Sequence, residues 1–120
     1  MRSEIFLLRK YGAKPDRAIK NYGGDEKFYL SCLQKFLNDP SFEKLELAVR
    51  GGSMKNADKI AAFIEEFSEI LGLTELSEKT KKLRSSLSDG HLKKSIEDMT
   101  ALLSENDRLK NYLIVKNKST

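Results

Sequence analysis

Apolar residues recur along this chain at three- and four-residue steps almost from end to end, rather than in the two-residue alternation of a half-buried strand. Such a pattern must bury a stripe along each of several helices, which points to an all-α fold. The 120 residues suit one domain, long enough to bury a core without a metal or disulfide staple. Hydrophobic residues make up 39% and charged residues 33%, the balance of a soluble protein.

Glycine and proline divide the pattern. A short helix is expected from Ser3 to Tyr11, ended by Gly12, and a second from Pro15 to about Tyr22. After Gly23-Gly24, Asp25 suits a helix start, and Phe28, Cys32, Leu33, Phe36 and Leu37 form the stripe of a longer helix. Asn38-Asp39-Pro40 stops and restarts the chain, and Phe42, Leu45, Ala48 and Val49 mark a shorter helix ending at Gly51-Gly52. Ser53 is the expected N-cap of a helix running to about Leu71, closed by Gly72. Leu73, Leu76, Leu83 and Leu87 mark the next, and Leu92, Ile96, Met99, Leu103, Leu109 and Leu113 the last. Short connections favour antiparallel neighbours, so the expected architecture is an up-and-down antiparallel four-helix bundle with short additional N-terminal helices. Residues 1–22 hold those short helices, 23–115 the bundle, and 116–120 a tail that frays.

Composition excludes several classes. The lone Cys32 has no internal disulfide partner and, among Phe28, Tyr29, Leu33 and Phe36, reads as a buried reduced thiol. No apolar run approaches the ~18 to 20 residues of a membrane span, and the start lacks a signal-peptide core, so no membrane contact and a cytoplasmic location are expected. A net charge of +4, from 22 basic and 18 acidic residues, does not by itself require a nucleic-acid partner. No general-base pair or phosphate-cradling glycine loop is legible, so neither enzyme activity nor a cofactor is expected.

The stretch AAFIEEFSEILG, residues 61–72, holds the most informative surface. At ~100° per residue, Lys55, Asp58, Lys59, Glu65, Glu66 and Glu69 all fall within about 60° of Ala62. Ala57, Ile60, Ile64, Phe67 and Leu71 occupy the opposite, core-facing side. Ala62 thus lies in the middle of a charged, outward face.

With its flanking glycines, this helix resembles the phosphorylated helix of the histidine-containing phosphotransfer (HPt) family. In that family a helix begins after a Gly-Asp, carries an exposed histidine followed by Thr-Leu-Lys-Gly, and ends with a hydrophobic residue and glycine. Counting back from Leu71-Gly72 and forward from Gly52-Ser53 both place the family's histidine at Ala62 without a gap. Upstream, YGGDEKFYLSCLQKFLNDPSFEKLELAVRGG is similar to the family's leading helices, and LTELSEKTKKLRSSLSDGHLKKSIEDM to its last two. The resemblance spans nearly the whole chain and implies a four-helix bundle whose partners are response-regulator receiver or histidine-kinase domains.

The departures concern chemistry. An alanine methyl offers no nucleophile for an in-line phosphoaspartate. Where the family has lysine three residues on, this chain has Glu65, and where it has a close-approach glycine, Glu66. With Glu69, these carboxylates are expected to repel a receiver's acidic pocket. The resemblance therefore implies a phosphorylation-incompetent HPt-like protein that binds a receiver or kinase without accepting phosphate. On this basis Ala62→His alone should restore little transfer and Ala62→His/Glu65→Lys/Glu66→Gly more, with stability nearly unchanged because all three positions face solvent.

Other features keep alternatives open. The charged face around Ala62 also suits plain solvation, and the chain a helical interaction module unrelated to phosphorelay. Lys79, Lys81, Lys82 and Arg84, with Lys93 and Lys94, form a candidate anion patch, although no interleaved aromatics support nucleic-acid binding. The carboxylates Asp58, Glu65, Glu66 and Glu69 come from one helix, too few directions for a hard-cation site. His91 reads as an ordinary surface histidine at the start of the last helix. Oligomeric state and partner identity are not legible.

Overall fold

The computed structural model describes residues 4–118, and side-chain environments through residue 114. Seven α-helices and no strands make up the described residues: α1 (Glu4–Tyr11), α2 (Pro15–Asn21), α3 (Glu26–Leu37), α4 (Ser41–Arg50), α5 (Met54–Ile70), α6 (Thr74–Ser88) and α7 (Leu92–Lys118). None is long and apolar enough to cross a membrane. The glycine and proline punctuation sets these bounds. Asp25 caps α3 by accepting a hydrogen bond from the Phe28 amide at 3.0 Å, whereas Ser53 stands at the N-cap of α5 without a side-chain capping bond. Ser3, the expected first helical residue, lies outside the described residues, as do Ser119 and Thr120.

α7 continues to Lys118, through residues 116–118 of the tail that was expected to fray. Extending an existing helix fixes one residue for each hydrogen bond gained, so a periodic apolar stripe is not needed at its end. With 27 residues and ~1.5 Å rise per residue, α7 spans most of the 45 Å long dimension of the molecule.

α5 packs along α6 and α6 along α7, while α4 touches both α5 and α7, and α1 lies on α7. The core gathers Leu7 and Leu8 of α1, Tyr29 and Leu33 of α3, Leu45 and Val49 of α4, Ile64 of α5, Leu76 and Leu83 of α6, and Met99 and Leu102 of α7. Two stripes differ from the simple projection. On α3, Tyr29 is fully buried while Phe28 is 53% exposed against Tyr22, and Cys32 is only half-buried. On α5 the buried positions are Ala57, Ala61, Ile64 and Ser68, with Ile60 and Phe67 half-buried. The helix is thus turned by roughly 40° from the orientation that its large apolar residues alone would choose. Small Ala61 and Ser68 let α6 approach, and Phe67 instead stacks on Phe36 with ring centroids 6.1 Å apart.

The buried Tyr29 hydroxyl donates to the Leu71 carbonyl at 2.6 Å and so ties α3 to the end of α5. Burial pushes its phenol well above the ordinary tyrosine range. The Tyr29→Phe variant should lose about 1–2 kcal/mol at neutral pH, read by urea unfolding, because the carbonyl is left without its donor. A raised folded-state pKa contributes stability below the unfolded value, near pH 10, that is lost as pH rises further. Stability of the wild type should therefore fall more steeply above pH ~10 than that of the variant.

Candidate functional site

The face predicted around Ala62 is divided by the turn of α5. Lys55, Lys59 and Glu66 are exposed, and Ala62 itself is half-buried. Asp58, Glu65 and Glu69 form the flank turned toward α6, where cations meet them. Arg84 donates from Nε to Asp58 Oδ1 at 2.9 Å, from Nη2 to Asp58 Oδ2 at 3.4 Å, and from Nη1 to Glu65 Oε1 at 3.1 Å. Lys81 Nζ lies 3.2 Å from Glu69 Oε1, to which Ser77 Oγ also donates at 3.4 Å. Asp58 pairs with the later Arg84 and Glu69 with the earlier Lys81, the reversed order of antiparallel helices.

These contacts set the electrostatics. The hydrogen bond to Asp58, then that to Glu65, raises the Arg84 guanidinium pKa, and the Glu69 hydrogen bond raises that of Lys81. The Glu65 side chain is 20% exposed, so its pairing is more than a solvated surface contact. The sequence projection placed Glu65 and Glu69 as free negative charge. In the fold, with Asp58, they are matched by Arg84 and Lys81, leaving Glu66 as the outward acid of the face. Charge mirrored across the turn was the signal in the sequence: acids at 58, 65 and 69 precede Gly72, and cations at 81 and 84 follow it.

The same contacts disperse the candidate anion patch. Lys81 and Arg84 face α5, Lys82 lies 3.9 Å from buried Asp98 of α7, and Lys79 is half-buried elsewhere on α6. Asp98 also receives a hydrogen bond from Ser86 and lies 3.9 Å from Lys94. Four cations within six positions of a helix cannot share one face at ~100° per residue. His91 is exposed, its carbonyl accepting from the Ser95 amide at 2.9 Å at the start of α7. Among the described residues, no group of three or more histidine, cysteine, aspartate or glutamate side chains is placed to hold a metal ion.

One residue of the site was not singled out from sequence. Phe63, next to Ala62, is 38% exposed and packs on Phe67 with centroids 4.7 Å apart. Its projection falls between the charged and apolar sides, so only the turn of the helix shows that it borders the outward face. Lys55, Lys59, Ala62, Phe63 and Glu66 together form a mixed surface with an aromatic edge anchored through Phe67 to Phe36.

Comparisons with protein-family models, curated proteins and solved structures give no significant match.

Substitutions at adjacent glutamates should separate the two flanks. Glu65→Lys sets a cation against Arg84 and should cost about 1–2 kcal/mol, whereas Glu66→Lys should stay within about 0.5 kcal/mol of wild type in urea unfolding. The earlier expectation of unchanged stability at position 65 is thereby revised, since Glu65 faces α6 rather than open solvent. Equal effects of the two changes would contradict the pairing.

Proposed function

We propose that this chain is an HPt-like four-helix module of two-component phosphorelay signalling that binds a receiver or histidine-kinase domain without accepting phosphate. α3 with α4, α5, α6 and α7 would form the bundle of residues 23–115, with α1 and α2 as the N-terminal additions, in the cytoplasm. The observation that carries the proposal is the position of Ala62, half-buried between Gly52-Ser53 and Leu71-Gly72, beside the acids that Arg84 and Lys81 hold and next to exposed Glu66. There an imidazole would be presented to a partner, and a methyl group cannot attack a phosphoryl group. The protein is accordingly proposed to be non-catalytic.

The pairing of Asp58, Glu65 and Glu69 lowers the electrostatic cost of bringing an acidic receiver pocket near this face. Exposed Phe63 and the stems of Lys55 and Lys59 supply apolar contact beside Ala62. A helical module whose partners lie outside phosphosignalling is the second reading. It is favoured by the Arg84 and Lys81 pairs, which give the acidic flank a purely structural role. The dispersed lysines of α6 weaken the further alternative of anion or nucleic-acid binding through residues 79–84.

Purified receiver and kinase dimerisation domains from the source organism, immobilised and titrated with the protein, provide the test. Wild type should bind at least one of them, and Phe63→Ala/Glu66→Lys should weaken that binding about tenfold or more while remaining folded. A phosphorylated receiver should leave no acid-labile phosphate on wild type, and Ala62→His/Glu66→Gly should gain more label than Ala62→His. Failure to bind any domain of either kind, or label on wild type, would contradict the proposal.

A further inference from the structure

A cleft of about 550 Å³ lies between α2 and the join of α5 with α6. Its size falls within the roughly 300–1,000 Å³ of small-molecule sites. Three cations from two separate parts of the chain line it: Lys14 and Arg17 at the start of α2, and Lys81 on α6. Among the described residues, Lys14 and Arg17 have no ion-pair partner, whereas Lys81 is shared with Glu69. Glu78 also lines the cleft, so formal charge in the lining is three positive against two negative, with one of the negatives held by Lys81 and Ser77.

The N-terminus of α6 opens beside these cations, since Leu73, Thr74 and Ser77 are in the same lining. Leu73 at the N-cap has no side-chain capping bond to offer the first-turn amides. Those amides and the helix dipole favour negative charge. A second, independent feature points the same way. Ser68 lines the cleft and is fully buried, yet its hydroxyl has no hydrogen-bond partner. A buried hydroxyl left unmatched is costly, and an oxygen-rich ligand could satisfy it. The Lys14 amide donates to the Gly72 carbonyl at 2.9 Å, which joins the α2 side of the cleft to the turn between α5 and α6. Ala18, Ile70 and Leu73 add apolar surface, more than a bare inorganic ion requires.

We propose that this cleft binds a small-molecule phosphate monoester. The phosphate lies at the start of α6 between Lys14 and Arg17, with Lys81 exchanging part of its contact with Glu69, and the organic group rests on Ala18, Ile70 and Leu73. The site is separate from the face around Ala62, although Glu69 borders both.

The test is a titration of ¹⁵N-labelled protein with phenyl phosphate, and in parallel with inorganic phosphate, at constant ionic strength. Phenyl phosphate should give saturable amide shifts at Lys14, Thr74, Glu75 and Leu76, with tighter binding than inorganic phosphate. Lys14→Gln/Arg17→Gln should weaken it roughly tenfold or more, with Arg17→Gln alone intermediate. Lys79→Gln/Lys82→Gln removes the same charge from outside the cleft and should leave binding unchanged. Absence of saturable shifts, equal weakening by both double variants, or equal affinity for inorganic phosphate would overturn the assignment.

Discussion

The three-residue turn that joins α5 to α6 holds the rest of the molecule in register. Leu71 is the C-cap of α5, Gly72 takes a φ of 76°, and the Leu73 amide returns to the Ser68 carbonyl at 2.8 Å while the Gly72 amide meets the Glu69 carbonyl at 3.1 Å. These two bonds satisfy helix-end carbonyls in the Schellman pattern. The turn then receives two distant parts of the chain. Tyr29 of α3 donates to the Leu71 carbonyl, and the Lys14 amide donates to the Gly72 carbonyl. Nothing larger than a hydrogen fits at Gly72, because a Cβ there would lie 2.3 Å from the Lys14 carbonyl oxygen.

Fixing this turn fixes how α5 faces α6. Ala57, Ala61, Ile64 and Ser68 are drawn inward, so Asp58, Glu65 and Glu69 come within reach of Arg84 and Lys81. The same rotation brings Phe63 toward solvent beside Ala62. The proposed docking face thus owes its charge and its aromatic edge to a turn at the far end of its helix. It also accounts for the cleft of the further proposal, whose back wall is the Lys14 to Gly72 backbone contact.

Much of this was legible from residues alone, for physical reasons that differ by element. Helix bounds follow from Gly12, Pro15, Gly23-Gly24, Pro40, Gly51-Gly52, Gly72 and Gly90, since such residues act on the backbone locally, whatever the tertiary setting. The all-α class followed from the same local pattern. Rotation about a helix axis is different, being decided by partners distant in sequence. The large apolar residues Ile60 and Phe67 pull a projection toward themselves, yet close packing against α6 selects the small Ala61 and Ser68. For the same reason neither the half-burial of Ala62 nor the pairing of its acidic neighbours could be read without the opposite helix. The lysine run of α6 is contiguous in sequence but diverges around the helix, so its charges do not gather into one patch. Lys14 and Arg17 were not seen as companions of Lys81, because the α2 contact that assembles them is made through backbone at Gly72.

The most direct measurement compares Gly72→Ala with Gly52→Ala by denaturant unfolding. Both glycines hold a positive φ, 76° and 73°, so both variants lose the same conformational freedom. A Cβ at Gly52 meets nothing within 4 Å, whereas at Gly72 it meets the Lys14 backbone. The account predicts a loss of about 1–2 kcal/mol for Gly52→Ala and more than about 3 kcal/mol for Gly72→Ala. Equal losses would show that the turn does not hold α2 against α5 and α6, and that the rotation of α5 has another origin.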